Sequence, residues 1–233
     1  VTLGSEALEK GKDYTVSWKD ENGDEHTELT DPGKYTLVIS SGNFTAPALN
    51  NISNTFEVKG KSLKNVKLSG KSDKVWWNGG EVTFPDLKVT LDGKELVDGK
   101  EINVEYDNAD AVGTATITIK SHDPGYVESY SETYSIIKPD LEKYGVIELK
   151  SDESTYTGEA IIPELKSVTI RGTGLEDLVF VKTSELKEFN ENSYNNTNVG
   201  TATVRVTAKN TGVYGTGSVD KTFKIVAADI DEF

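Results

Sequence analysis

Apolar and polar residues alternate with a period of two along most of the chain, in short runs separated by Gly, Asn, Asp and Pro clusters. That alternation places successive side chains on opposite faces of a strand. It predicts strands over Tyr14-Thr-Val-Ser-Trp18, Leu87-Lys-Val-Thr-Leu91, Ile102-Asn-Val-Glu-Tyr106 and Val219-Asp-Lys-Thr-Phe-Lys-Ile225. No stretch carries a convincing helical period. Leu175-Glu-Asp-Leu-Val-Phe180 fits either one helical turn or a strand. The chain is expected to be all-β, built as sandwiches.

One pattern occurs three times: Gly33-Lys-Tyr-Thr-Leu-Val-Ile, Gly113-Thr-Ala-Thr-Ile-Thr-Ile and Gly200-Thr-Ala-Thr-Val-Arg-Val. Each is followed by a second run: Thr55-Phe-Glu-Val58, Thr133-Tyr-Ser-Ile136 and Thr222-Phe-Lys-Ile225. A fixed period means one supersecondary unit used repeatedly. Val1-Thr-Leu3 matches Val89-Thr-Leu91 and Val168-Thr-Ile170, and Trp18 falls on Tyr106 and Phe189. Gly80-Glu-Val-Thr-Phe-Pro85 matches Gly158-Glu-Ala-Ile-Ile-Pro163. The division is therefore residues 1–60, 61–140 and 141–233, the third unit carrying an insertion at about 171–185. The first unit lacks the opening strand or strands that the others have, which reads as truncation or as an edge completed by another chain.

Cysteine is absent, which excludes disulfides, thiolate metal sites and a cysteine nucleophile. Methionine is absent too, even at position 1, so the chain reads as an internal piece of a larger precursor. A net charge of −14 argues against nucleic acid and against anionic membranes. No apolar run is long enough to span a bilayer.

The third unit has Tyr156-Thr-Gly158-Glu-Ala-Ile-Ile-Pro163, Asn195-Asn-Thr-Asn-Val-Gly200-Thr-Ala-Thr-Val, Gly212-Val-Tyr214-Gly-Thr and Lys221-Thr-Phe-Lys-Ile225. The first adds Leu8-Glu-Lys-Gly11-Lys-Asp-Tyr14-Thr-Val-Ser-Trp18. These runs resemble the Ig-like β-sandwich repeat found in tandem in large cell-surface proteins of Gram-positive bacteria of the Firmicutes. The resemblance implies three Ig-like domains in an elongated array. It also implies secretion or cell-surface attachment and a spacer, adhesion or accessory role with no catalytic residues to transfer. A monomer is expected.

Candidate chemistry is sparse. Trp18 and Trp77 occupy aromatic positions shared between units and are expected to pack. Trp76 should then point the other way. Beside Asn78-Gly79-Gly80 it is a candidate platform for a sugar ring, with Tyr126 and Tyr130 as further stacking candidates; the alternative is packing against a neighbouring domain or loop. A carbohydrate-binding module is thus the second reading, with polysaccharide or a host or cell-surface protein as partner. Asp20-Glu-Asn22-Gly-Asp24-Glu-His26 has alternate oxygen ligands, but Glu25 stands where a calcium loop needs glycine. A polar hairpin turn is expected there. Asp140, Glu142, Asp229 and Asp231 near the junctions read as solvated carboxylates or calcium bridges. His26 and His122 lack companion ligands, so no cofactor or metal is expected. No nucleophile elbow or phosphate loop occurs, and the chain is not expected to be an enzyme. Asn43-Phe-Thr45, Asn51-Ile-Ser53 and Asn195-Asn-Thr197 match the glycosylation pattern, and Pro139 is expected to stiffen its junction.

Overall fold

A computed structural model describes residues 1–42, 54–180, 189–209, 212–214 and 217–229. The predicted strands form close to their expected limits, as Thr15–Lys19, Lys88–Leu91, Ile102–Asp107 and Ser218–Val226. Leu178–Phe180 is a strand, and the described helices are single turns, Leu63–Asn65 and Leu141–Tyr144. The described structure is thus almost entirely β, arranged in several sheets. Two glycosylation-type triplets, Asp231 and the end of the predicted insertion lie outside the described residues.

The chain forms two compact units. The first comprises Val1–Ser69, Leu87–Glu105 and Thr118–Ser131; the second comprises Gly70–Asp86, Tyr106–Ile117 and Glu132–Phe233.

In the first unit, four antiparallel strands lie in the order Glu25–His26, Thr15–Lys19, Gly33–Ser40, Thr55–Val58. Lys88–Leu91 lies between Lys94–Leu96 and Lys67–Ser69. The segment Lys61–Ser62 pairs in parallel with Tyr126–Val127. Leu63, which opens the helical turn that follows, is fully buried.

In the second unit, Gly145–Leu149, Leu165–Ile170 and Leu178–Phe180 form one sheet. Glu153–Thr155, Ser218–Val226, Gly200–Ala208 and Phe189–Tyr194 form another. Ile147, Leu165, Val168 and Ile170 from the first meet Phe189, Val204, Val206 and Ala208 from the second in one buried cluster. Every second residue of Gly200–Ala208 feeds this two-layer core, whereas Leu165–Ile170 is buried at all but Lys166. The same unit holds Lys74–Trp76 paired in parallel with Ser135–Ile137.

The repeated glycines have a conformational cause in two of three cases. Gly113 and Gly200 sit at φ of 145° and 142°, a region that side chains with a Cβ rarely enter. The strands they lead carry matching inward residues: Ala115, Ile117 and Ile119, then Ala202, Val204 and Val206, all buried. The pairing register also repeats. Tyr35 faces Phe56 as Ala202 faces Phe223, and Gly33 faces Val58 as Gly200 faces Ile225. Yet Leu37 and Ile39 are only half-buried where their counterparts are buried.

Candidate functional site

Trp76 ends the Lys74–Trp76 strand. Its pairing puts Val75 beside the buried Ile136 and Trp76 beside Ile137, so Trp76 lies on the opposite face from Val75, as the alternation predicts. That face is covered. Trp76 is half-buried, and its ring stands edge-on to Tyr144 at 5.3 Å. The indole Nε1 donates to the Glu176 carbonyl at 2.6 Å. Behind it runs the turn that begins at Gly172, where the Leu175 N–H bonds to the Gly172 carbonyl. A Cβ on Gly172 would stand 2.8 Å from the indole and 2.6 Å from the Leu175 side chain, so any larger residue would push one or both aside. Trp76 also packs against the buried cluster of Leu165, Val168 and Phe189.

The turn over Trp76 is the start of the insertion that distinguishes the third repeat. The two departures from the common pattern, an extra tryptophan in the second repeat and extra residues in the third, meet as two halves of one contact. Pro139, between them, is buried. Asp140 accepts from the Lys143 N–H at 3.1 Å as the N-cap of Leu141–Tyr144, so its carboxylate is engaged with the backbone.

Trp77, the residue after the strand, is half-buried. Its Nε1 donates to the Asp110 carbonyl at 3.1 Å and its backbone N–H to the Ile137 carbonyl. Trp18 is half-buried, 6.0 Å from Phe56, which itself is 52% exposed. Its position is shared with Phe189, but the core around Trp18 is less closed than the one around Phe189.

Tyr126 and Tyr130 belong to the other compact unit from Trp76. Tyr126 is half-buried; its hydroxyl accepts from Lys94 Nζ at 3.1 Å, and that ammonium lies 5.8 Å from the ring centre. Its backbone is part of a tie between Lys61–Ser62 and the loop before it, with the Lys61 N–H on the Gly125 carbonyl at 2.9 Å. Glu128 closes the tie, accepting from the Ser62 hydroxyl and the Lys64 ammonium. These two bonds hold the Glu128 carboxyl below the usual carboxylate range, the Lys64 bond contributing most. Tyr130 is half-buried on Ser129–Ile137.

The acidic segments have local partners. Thr15–Lys19 and Glu25–His26 form the expected hairpin. Asp20 pins its turn: Oδ1 accepts from the Asn22 and Asp24 N–H groups, both at 2.9 Å, and Oδ2 meets His26 Nε2 at 3.1 Å. The His26 bond is the main reason the Asp20 carboxyl sits below its ordinary value. A second carboxylate is structural in two repeats, which the sequence reading missed. Asp13 accepts from the Glu9 N–H and Glu101 from the Val97 N–H, each four residues back. The signal was present as an acid two residues after the aligned Gly11 and Gly99. Among the described residues, no group of three or more His, Cys, Asp or Glu side chains is placed to hold a metal, and no helix is long and apolar enough to cross a membrane.

No protein-family model matches the chain, and no curated protein does. Among solved structures it is similar to surface layer protein SbsC, domains 4–9, at 16% sequence identity and a TM-score of 0.23. The match covers 94% of this chain and 39% of that one, so the chain spans well under half of that structure's length.

Proposed function

We propose that the chain is a non-catalytic module of a bacterial surface protein, three tandem Ig-like repeats that space or present an adhesive region outside the cell. A spacer needs joints that resist bending and cleavage. The contact of Trp76 with Gly172, Leu175, Glu176 and Tyr144 carries this reading. It joins elements that are distant in sequence through a side chain that repetition alone does not require. Buried Pro139 and the Asp140 cap, in the short segment between the second and third repeats, support it further.

The carbohydrate-binding reading asks Trp76 to offer an open ring face. Its ring is half-buried and its Nε1 is bonded to a backbone carbonyl.

Backbone relaxation of the ¹⁵N-labelled chain tests the spacer reading. Residues 74–84 and 145–170 should tumble with one correlation time in the wild type and separate in Trp76→Ala. Independent tumbling in the wild type would remove the stiff joint. A polysaccharide pull-down that is positive in the wild type and lost in Trp76→Ala would instead favour the sugar-binding reading.

A further inference from the structure

We propose that Asn78 is a site of spontaneous deamidation, in which the Gly79 nitrogen attacks the Asn78 carboxamide and water completes the conversion to aspartate and isoaspartate. The chain has two Asn-Gly pairs, Asn22-Gly23 and Asn78-Gly79. Both asparagines are exposed. Both glycines sit at positive φ, 89° and 92°, so each turn excludes the side chain that would shield the attacking nitrogen. The two pairs therefore match in sequence and in backbone, and their hydrogen bonds decide between them.

At Asn78 the bonds favour attack. Oδ1 accepts from the Gly80 N–H at 2.9 Å. That donor draws electrons from the carboxamide carbon and stands where negative charge develops when the Gly79 nitrogen adds. The Gly79 N–H has no hydrogen-bond partner among the described residues, so its proton is open to solvent base. At Asn22 both conditions are reversed. The Gly23 N–H donates to the Asp20 carbonyl at 3.1 Å. The Asp20 carboxylate accepts from the N–H groups on either side, those of Asn22 and Asp24, and its negative charge opposes loss of the Gly23 proton. The Asn22 carboxamide has no donor on its oxygen among the described residues.

The reaction needs only water. The Gly79 N–H proton passes to solvent base, the bond from its nitrogen to Asn78 Cγ forms, and Nδ2 takes up a proton and leaves as ammonia. Water then opens the cyclic imide at either carbonyl. One opening leaves aspartate; the other leaves isoaspartate, whose main chain runs through Cβ and is one methylene longer. The third repeat shows that the fold does not require asparagine here. The Trp77 and Tyr156 N–H groups donate alike to the Ile137 and Val226 carbonyls, and in that register Thr157 and Gly158 stand at Asn78 and Gly79. Gly158 is at φ 83°, and the Glu159 N–H donates to the Thr157 hydroxyl at 3.3 Å as Gly80 does to Asn78. The turn is the same, but threonine has no carbonyl carbon to attack. Isoaspartate would lengthen a turn that is anchored on both sides, by the Trp77 N–H on the Ile137 carbonyl and the Val82 N–H on the Ala109 carbonyl, and so should loosen it.

The test ages the intact chain in mildly alkaline buffer, both folded and in urea, and follows the two asparagines by peptide mass spectrometry. In the folded chain Asn78 should convert roughly tenfold faster than Asn22, the worth of one hydrogen bond moved from the nucleophile to the oxyanion. In urea, where neither turn persists, the two rates should converge. Asn78→Thr takes the third repeat's residue. It should keep the amide spectrum away from the turn, form no product at this position and hold its urea midpoint through ageing. The aged wild type should lose stability in step with isoaspartate. Equal rates in the folded chain, a faster Asn22, or a rate ratio that survives in urea would overturn the proposal. Isoaspartate at Asn78 with an unchanged urea midpoint would overturn the loosening of the turn.

Discussion

Removing the Trp76 side chain tests whether the contact with the Gly172 turn stabilises its unit. An aromatic side chain buries about 150–250 Å² when fully enclosed, so half-burial removes about 100 Å² from water. At roughly 25 cal/mol per Å² this is worth about 2.5 kcal/mol. Residual burial in the unfolded chain lowers that figure by roughly 10–40%. The edge-on pair with Tyr144 at 5.3 Å adds about 0.5–1.5 kcal/mol. The hydrogen bond to Glu176 adds little, because Glu176 is exposed and its freed carbonyl regains water. Trp76→Ala is therefore expected to destabilise the unit by about 2–3 kcal/mol. The assay is urea unfolding followed by amide resonances of the Gly200–Ala208 strand, which report this unit alone. A double-mutant cycle with Leu175→Ala should give a coupling of about 0.5–1.5 kcal/mol, since both side chains converge on Gly172. A loss below about 0.5 kcal/mol in Trp76→Ala, or additive effects in the cycle, would refute the reasoning.

Gly172→Ala should destabilise the same unit by about 1–3 kcal/mol through overpacking, measured by the same melt; because Gly172 is not at positive φ, the penalty is steric and Trp76→Ala should relieve part of it. Tyr134, pushed up to about 12 mainly by burial, should stay protonated when the exposed tyrosines ionise, as ultraviolet difference titration would show. A raised folded value favours the protonated form, so the stability it contributes is full below pH 10 and fades as pH rises from 10 towards 12. Tyr134→Phe leaves the Val82 carbonyl without this donor and should cost about 1–2 kcal/mol in urea unfolding. For the hairpin, carbonyl chemical shifts should place the Asp20 midpoint below that of an ordinary aspartate, and His26→Ala should raise it. Its folded value is depressed, so Asp20 supports the turn above its unfolded value of 3.8 and loses that support as pH falls through the folded one.

The strands were legible because alternation and burial share a cause. The Gly113–Ser121 and Gly200–Ala208 strands bury every second residue, so Ile117, Ile119, Val204 and Val206 announce themselves in sequence. The alternation also put Trp76 on the face opposite Val75, because neighbouring strand residues must diverge. What lies over the outward face was not legible. The carbonyl that receives the Trp76 indole is 100 residues away, and periodicity carries no information about contacts at that range. The parallel pairing of Lys74–Trp76 was hidden as well. Three residues are too few to show a period, and a parallel partner is not its neighbour in sequence.

The repeats also explain one another where they differ. The second and third repeats join opening segment to strand with charges of opposite sense: Lys71 on Glu132 in one, Asp152 on Lys221 in the other. The Lys71 side chain is 9% exposed and bonds both Glu132 and Asp73, its own opening's carboxylate. Both openings carry the same Lys-Ser-Asp run, Lys71–Asp73 and Lys150–Asp152, so each offers a cation and an anion, and Glu132 or Lys221 on the partner strand decides which of them engages. The first repeat has the neutral Asn54 where the others have Glu132 and Lys221, and it is also the repeat whose Phe56 is 52% exposed. Loss of the charge and exposure of the ring thus fall on one strand, Thr55–Val58 and the residue before it.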